Sequence, residues 1–232
     1  GVETNAVATV DAPTACAAIS VDKDGENSIV VASGANLSTR AAQVPDALLG
    51  PDTLLLLQME VDLAENWALL ERARERGART ALNVAPAAPV PASALERLDY
   101  LIVNEIEGAA IAAATGIDKH TPEDIPGQLA ERFGLTCVLT LGKAGAVLHG
   151  PSGGYAIPAL NVTPTDTTGA GDTYVGYLAA GLDAGLDIVD AARRASAAAA
   201  LACTREGAQI GIPVTSDVDP MMGQLGAAEK TT

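Results

Sequence analysis

The sequence contains little cysteine, and no apolar run in it approaches the roughly 20 residues that span a bilayer. The three cysteines, Cys16, Cys137 and Cys203, are far apart and form no C-x-x-C pair, so neither a disulfide framework nor a zinc cluster is indicated. We expect them to be small core residues. The N-terminus also lacks the basic-then-apolar order of a signal peptide. These absences predict a cytoplasmic protein.

Basic side chains are scarce as well. Fourteen Lys and Arg residues stand against 29 Asp and Glu residues, which gives a net charge of −15. A field of this sign repels nucleic-acid backbones and anionic lipid surfaces, so we expect neither as a partner. The composition is nevertheless 48% hydrophobic, which is enough to fill the core of one large α/β domain.

Strand and helix patterns alternate along the chain. Two β-prone runs, at 14–21 and 28–32, flank the turn-forming residues 22–27 and predict a hairpin. From residue 53 onward the predicted order is strand, helix, strand, strand, helix, at 53–57, 64–76, 80–84, 100–103 and 105–115. This order predicts a parallel sheet with helices on both faces and a ligand at the carboxyl ends of its strands.

The second half predicts a further hairpin and two helices. A strand at 136–141 and a strand at 146–149 are separated by a glycine-containing turn, so the sheet should be mixed. Alanine-rich helices are expected at 169–184 and 187–203. The polar tail from Ser216 is expected to fray.

The most informative segment is Asp166–Asp172, with the sequence DTTGAGD, where a loop becomes a helix. The N–H groups of Gly169, Ala170 and Gly171 would point outward at the positive end of the helix dipole and form an anion hole. Asp172 would then lie where it can take a proton from an attacking hydroxyl. The alternative is a plain helix start whose aspartate supports the dipole.

Together with other segments, this motif resembles the ribokinase-like (phosphofructokinase-B-type) sugar kinases. The other matching segments, in the same order along the chain as in the family, are Leu57–Glu60, Asn83–Ala87, Asn104–Glu107, Thr140–Gly145 and Thr204–Gln209. The resemblance implies a three-layer α/β sandwich formed by a single domain, 1–232. It has a mainly parallel sheet, a nucleotide-binding core at 53–215 and a small β-hairpin lid at about 10–35.

The family reaction is phosphoryl transfer from ATP to a sugar hydroxyl. The resemblance makes Asp172 the general base and a substrate contact, and it makes the amides of Gly169, Ala170 and Gly171 the stabilisers of the transferring group. It assigns the nucleotide to Asn104, Thr140, Gly142, Lys143, Gly171 and Ser196, the last at a position where the family often has asparagine.

Two metal ions are implied by the same resemblance. Glu107, with Asn104, would organise Mg²⁺ through water, although Asn-x-x-Glu spacing equally fits a helix capping box. A K⁺ site would draw on two loops, with Asp166 and Thr168 from one and Ala202, Arg205, Gly207 and Gly211 from the other. Gly211 stands where ribokinases commonly have a serine ligand.

On the sugar side, Glu60 resembles a substrate-contacting glutamate, although a solvated acid at a strand end fits equally well. The opening segment, residues 1–36, resembles the ribose-specific members of the family, which implies ribose as substrate and ribose 5-phosphate as product. The family resemblance also implies a homodimer joined through the lid. The family's glycine-rich N-terminal sugar motif has no counterpart, so we expect the domain to be N-terminally incomplete. Two alternatives stay open: a fructokinase or keto-deoxy-gluconate kinase, and a nucleotide-binding pseudokinase. His120 and His149 are expected at the surface.

Overall fold

The computed structural model describes residues 2–21, 27–117 and 121–231 of the chain. The strands of these residues form a two-stranded hairpin and a larger sheet. Strands β1 (Cys16–Val21) and β2 (Asn27–Ala32) pair antiparallel, with Cys16 opposite Ala32. The predicted hairpin strands are therefore confirmed, while turn residues 22–26 lie outside the described residues.

The larger sheet has seven strands whose spatial order is their order in the chain. The first four run parallel to one another, and the pairs from the fourth strand onward are antiparallel, so the prediction of a mixed sheet is confirmed. The strands are β3 (Leu54–Leu57), β4 (Arg79–Asn83), β5 (Tyr100–Asn104), β6 (Thr136–Thr140), β7 (Ala146–Gly150), β8 (Gly153–Ile157) and β9 (Glu229–Thr231).

The helices begin and end at residues suited to those positions. The side chains of Asp62, Asn104 and Asp187 accept hydrogen bonds from backbone N–H groups in the first turns of three helices. Gly134 ends another with φ of 70°. The helices are α1 (Leu63–Glu75), α2 (Ala92–Leu95), α3 (Glu105–Ala114), α4 (Ile125–Phe133), α5 (Ala170–Asp183), α6 (Ile188–Ala202) and α7 (Thr215–Val218).

Both faces of the sheet are covered. Leu82 of β4 packs with residues of α1–α4, and its neighbour Ala81 packs with residues of α5 and α6 on the opposite face. The same alternation separates Leu101 from Ile102 in β5, as the two-residue period of a strand requires. The expected three-layer sandwich is thereby confirmed.

Several elements of the described chain were not expected from the sequence: the short helices α2 and α7, helix α4, and strands β8 and β9. Helix α4 has Ile125, Leu129 and Phe133 buried on one face, a spacing of four residues that could have revealed it. Strand β8 pairs with β7 and with β9. The expectation of a fraying tail is wrong for 229–231, because these residues pair with β8. Their side chains are all exposed, so no apolar pattern marks the strand.

Among the described residues, no helix is both long enough and apolar enough to cross a membrane.

Candidate active site

The carboxyl ends of the parallel strands gather most of the candidate residues. Glu60 follows β3, while Asn104 and Thr140 end β5 and β6 and lie opposite each other in the sheet register. Gly142 and Lys143 follow β6 in a short turn and are exposed. The expected position of a ligand in such a sheet is therefore lined by the side chains that the sequence singled out.

Helix α5 begins without a side-chain cap. Its N-cap residue is Gly169, with φ of +75°. The N–H of Ala170 donates to the carbonyl of Thr167 at 3.2 Å, whereas those of Gly169 and Gly171 have no acceptor in the described parts of the chain. The anion hole therefore has two available N–H groups, those of Gly169 and Gly171, instead of the three that the motif suggested, because the turn that starts the helix uses the N–H of Ala170.

The two glycines of this turn differ in their surroundings. A Cβ added at Gly169 would lie 3.3 Å from Ala208, and the positive φ would strain any L residue there. A Cβ added at Gly171 would meet no described atom within 4 Å. Gly169 is therefore required by the fold, whereas the open space before Gly171 leaves room for a ligand to approach the backbone.

Asp172 lies in the first turn of α5, directly after the unpaired amides. Its side chain is exposed and makes no hydrogen bond with the residues that the structure describes. The turn therefore combines an anion-binding backbone with a carboxylate free to accept a proton, which are the parts that hydroxyl-to-phosphoryl chemistry requires.

The loop before α5 is held by Asp166. The carboxylate accepts the backbone N–H of Thr168 and the N–H of Gly207, both at 2.9 Å. Hydrogen bonds from the Thr168 side chain and from these two amides hold the pKa of Asp166 below its ordinary value. The carbonyl of Cys203 also accepts the N–H groups of Thr165 and Asp166, at 2.7 and 3.1 Å. The two loops of the expected K⁺ site are therefore directly joined.

The second of these loops, residues 202–211, forms tight hydrogen-bonded turns. The carbonyl of Ala202 accepts the N–H of Arg205 at 3.1 Å, and that of Gly207 accepts the N–H of Gly211 at 2.9 Å. The Arg205 guanidinium pairs with Asp217 at 2.9 Å. A Cβ at Gly211 would lie 2.5 Å from the Gly207 carbonyl oxygen, so the serine common in ribokinases does not fit this turn.

Asn104 and Glu107 form the capping box that was the alternative to a metal site. The Asn104 Oδ1 accepts the N–H of Glu107 at 2.9 Å, and the Glu107 Oε2 accepts the N–H of Asn104 at 2.8 Å. Glu107 is only 6% exposed, and burial raises the pKa of its carboxyl group. The Asn104 Nδ2 and the Glu107 Oε1 have no partner among the described residues, so each side chain keeps one polar atom for a ligand.

Ser196 differs from its expected role. The side chain is 5% exposed, and its hydroxyl donates to the carbonyl of Pro158 at 2.7 Å. Because this contact ties α6 to the segment after β8, the hydroxyl is used in packing. The expectation that Ser196 contacts a nucleotide is therefore not supported by its geometry.

Glu60 is exposed at the end of a turn that is held in place by hydrogen bonds. Its N–H donates to the side-chain oxygen of Gln58, and the carbonyl of Gln58 accepts the side chain of Asn66 at 2.6 Å. The next residue back, Met59, donates its N–H to Ala85 at 3.1 Å. The turn is therefore attached to the end of β4 and presents the Glu60 carboxylate to solvent.

The remaining single-residue expectations have mixed outcomes. Cys137 is buried as expected, whereas Cys16 is exposed and Cys203 is half-buried. His149 is half-buried between α4 and β8 rather than at the surface, and its Nδ1 has no hydrogen-bond partner among the residues that the structure describes. His120 lies outside the described residues.

The fold and this site together define a class of protein. Residues 1–215 match the pfkB family of carbohydrate kinases, and the chain belongs to that family. Within it, the chain is similar to the ribokinase of Staphylococcus aureus, with 30% identity over 217 residues that cover 92% of this chain and 71% of the relative.

Solved structures give the same result. The chain is similar to the ribokinase of Thermotoga maritima, with a TM-score of 0.83 and 30% identity over 92% of this chain and 71% of that one. It is also similar to Arabidopsis thaliana ribokinase complexed with ribose and ATP, with a TM-score of 0.79 and 27% identity over 91% and 70% of the two chains. The resemblance predicted from the motifs is confirmed at the level of the family.

Proposed function

We propose that this carbohydrate kinase phosphorylates D-ribose at its 5-hydroxyl with ATP. The observation that carries the proposal is the first turn of α5, where the unpaired N–H groups of Gly169 and Gly171 precede the exposed carboxylate of Asp172. The choice of substrates rests on the similarity to ribokinases, one of which is described as complexed with ribose and ATP.

The reaction follows from these groups. The Asp172 carboxylate accepts the proton of the sugar hydroxyl, and the hydroxyl oxygen forms a bond to the γ-phosphorus of ATP. The bond between that phosphorus and the β–γ bridging oxygen breaks, and ADP leaves with the electron pair. The Gly169 and Gly171 amides donate hydrogen bonds to the charge that develops on the transferring phosphoryl group.

The nucleotide is proposed to lie along the ends of β5 and β6. Asn104, Thr140, Gly142 and Lys143 are its candidate contacts there, and the Gly171 amide reaches the terminal phosphate. Lys143 is exposed, so its positive charge is available to the phosphates of ATP in a chain that has few basic side chains. Ser196 is left out of this set because its hydroxyl is already bound to Pro158.

Both proposed metal ions fit oxygen atoms of the site. Glu107 has its Oε1 free, and Asn104 is beside it, so the pair can hold Mg²⁺ through water as hard oxygen ligands. When bound, Mg²⁺ neutralises charge on the phosphates. For K⁺, Asp166, Thr168, Ala202, Arg205 and Gly207 offer oxygens on two joined loops, whereas Gly211 offers no side-chain ligand.

The sugar is proposed to lie on the β3 side, near Glu60, with the 10–35 hairpin as its lid and 53–215 as the catalytic core. Val30 and Val31 are 69% and 44% exposed, although neighbouring residues of a strand face opposite ways. Strand β2 is therefore uncovered on both faces at these two residues, which supports a second proposed role for the hairpin as the surface that joins two copies of the chain.

The test is ADP release by the 232-residue chain with Mg²⁺ and ribose, measured with and without K⁺ and with fructose and keto-deoxy-gluconate in parallel. We expect ribose-dependent turnover that rises with K⁺. Faster turnover on fructose or keto-deoxy-gluconate would show that the faster sugar, and not ribose, is the substrate. ATP binding by folded protein without turnover on any of these sugars would contradict the proposal and favour a nucleotide-binding pseudokinase.

A further inference from the structure

A third polar side chain shares the face of the sheet on which Asn104 and Thr140 lie. In β4, Leu82 and Val84 belong to the core beside α1–α4, whereas Ala81 packs towards α5 and α6. Asn83, the last residue of β4, is therefore on the α5 side by strand alternation. The same argument places Asn104 and Thr140 on this side, so a row of polar side chains crosses the carboxyl edge of the sheet.

The start of α5 is brought to the same edge. Arg79, the first residue of β4, donates its guanidinium N–H to the carbonyl of Leu182 near the end of α5 at 2.9 Å. The end of α5 therefore lies beside the start of β4, and Tyr174, Val175 and Leu178 of the same helix pack on the cluster that contains Ala81 of β4, an arrangement that fits a helix running antiparallel to the strand. Its 14 residues extend roughly 21 Å, whereas the five residues of β4 extend roughly 17 Å. The first turn of α5, with Gly169–Asp172, thus reaches the end of the strand that Asn83 occupies.

The Asn83 amide is not used by the fold. Its side chain is half-buried and has no hydrogen bond to any residue that the structure describes. By contrast, Asn66 donates to the Gln58 carbonyl and Asn104 accepts the Glu107 N–H. The Asn83 amide is not among the fully buried polar groups without a partner, so it is open to water in the free protein and available to a ligand.

The place of Asn83 in the strand order indicates which ligand atom it meets. Strand β4 lies between β3, which is followed by Glu60, and β5, which ends at Asn104. If the sugar lies near Glu60 and the nucleotide near Asn104, as proposed above, the group passing from one to the other lies over β4. We infer that the Asn83 side-chain amide donates a hydrogen bond to the γ-phosphoryl group of bound ATP and keeps this bond while the group is transferred.

An amide suits this position chemically. It donates to an anionic phosphoryl oxygen without adding a charge, and it cannot compete with Asp172 for the proton of the sugar hydroxyl. Because ADP lacks the transferred group, the contact should contribute to the binding of ATP and not to that of ADP. This difference gives a readout that does not depend on turnover.

The experiment compares ATP and ADP affinity in Asn83→Ala and Asn83→Asp. Both variants should bind ATP about tenfold to 100-fold more weakly and ADP as the wild type does, the effect of losing one hydrogen bond to a charged group. Asn83→Asp keeps the volume of the side chain, and it should weaken ATP binding at least as much because its charge repels the phosphoryl group. Thermal unfolding checks the fold, and Asn5→Ala, which removes an exposed asparagine bonded to Glu3, is the control.

The outcomes separate this inference from the proposed function. ATP and ADP affinities that are unchanged in a folded Asn83 variant would overturn the inference, even if the wild type phosphorylates ribose. A selective loss of ATP affinity in a chain without ribose turnover would support the inference and contradict the proposed substrate. An equal loss of ATP and ADP affinity would also overturn it, since the amide would then contact a group common to both.

Discussion

Helices α3 and α5 both begin at the carboxyl edge of the sheet, but their first turns differ. In α3, Asn104 and Glu107 satisfy each other's backbone N–H groups. In α5, Gly169 has no side chain that could do the same, and the amides of Gly169 and Gly171 have no acceptor in the described chain. Since a missing cap lowers stability, the open turn points to a ligand that supplies the acceptors.

The largest effect is expected from Asp172→Asn, which keeps the open turn but removes the base. Ribose-dependent turnover should fall by about 10² to 10⁴, the contribution of general base catalysis, while ATP affinity stays near that of the wild type. Steady-state kinetics and calorimetric titration measure the two quantities. Asp52→Asn, an exposed aspartate in the turn before β3, is the matched control. An equal loss in both variants would contradict the role of Asp172.

Substitution of the two glycines should separate ligand binding from backbone strain. Gly171→Ala keeps the backbone N–H but adds a methyl group in the open space through which the phosphoryl group would approach it, so thermal stability should be unchanged or slightly raised. Turnover should fall, by on the order of 10² if the methyl group prevents the hydrogen bond from this amide. Gly169→Ala should instead cost about 1–2 kcal/mol of stability because of its positive φ. If Gly171→Ala is destabilised as much as Gly169→Ala, the contrast between the two positions is wrong.

Removing the cap of α3 should have a smaller effect, and mainly on stability. Asn104→Ala should lower the free energy of unfolding by about 1 kcal/mol, which corresponds to roughly 2–4 °C in melting temperature for a domain of this size. Urea unfolding measures this loss. Asn104→Asp, which retains a capping oxygen, should recover most of it. If Asn104→Ala loses ATP affinity with no change in stability, the capping role would be minor.

The smallest effect is a pH dependence at Glu107. Because burial raises its pKa above the ordinary 4.5, the folded protein holds this proton to higher pH than the unfolded chain does. The contribution of Glu107 to stability therefore falls as pH rises from about 4.5 through the folded pKa.

Glu107→Gln has no proton to release there, so its stability relative to the wild type should improve over that interval. Urea unfolding of both proteins at several pH values tests the sign, with Glu105→Gln, an exposed position in the same turn, as the control. A relative stability that worsens with pH would contradict the assignment.

The sequence predicted only part of the difference between the first turns of α3 and α5. The DTTGAGD motif indicated the open turn at Asp166–Asp172, because glycines at a helix start leave backbone N–H groups uncapped and the aspartate adds a carboxylate beside them. It could not show that the Ala170 amide is used in the turn, since this depends on backbone angles. The Asn104-x-x-Glu107 spacing fitted a cap and a metal site equally well, and the structure shows the cap.

Other residues needed three-dimensional contacts to be interpreted. Ser196 lies far from Pro158 in sequence, so no local pattern could indicate that its hydroxyl is already bound. Asn83 stands out in the sequence only as part of a matching segment, and its position on the α5 face depends on the register of β4 within the sheet. Strand β9 is short and fully exposed, so its pairing with β8 leaves no signal in the sequence.

The most direct test of the open turn of α5 is the amide spectrum of the folded chain during titration with Mg²⁺ and a non-hydrolysable ATP analogue. We expect downfield shifts for the Gly169 and Gly171 N–H resonances, which gain an acceptor, and little change for the Val189 N–H, which is already bonded to Asp187 at the start of α6. Unchanged Gly169 and Gly171 resonances in a chain that binds the analogue would contradict the open turn as the phosphate site.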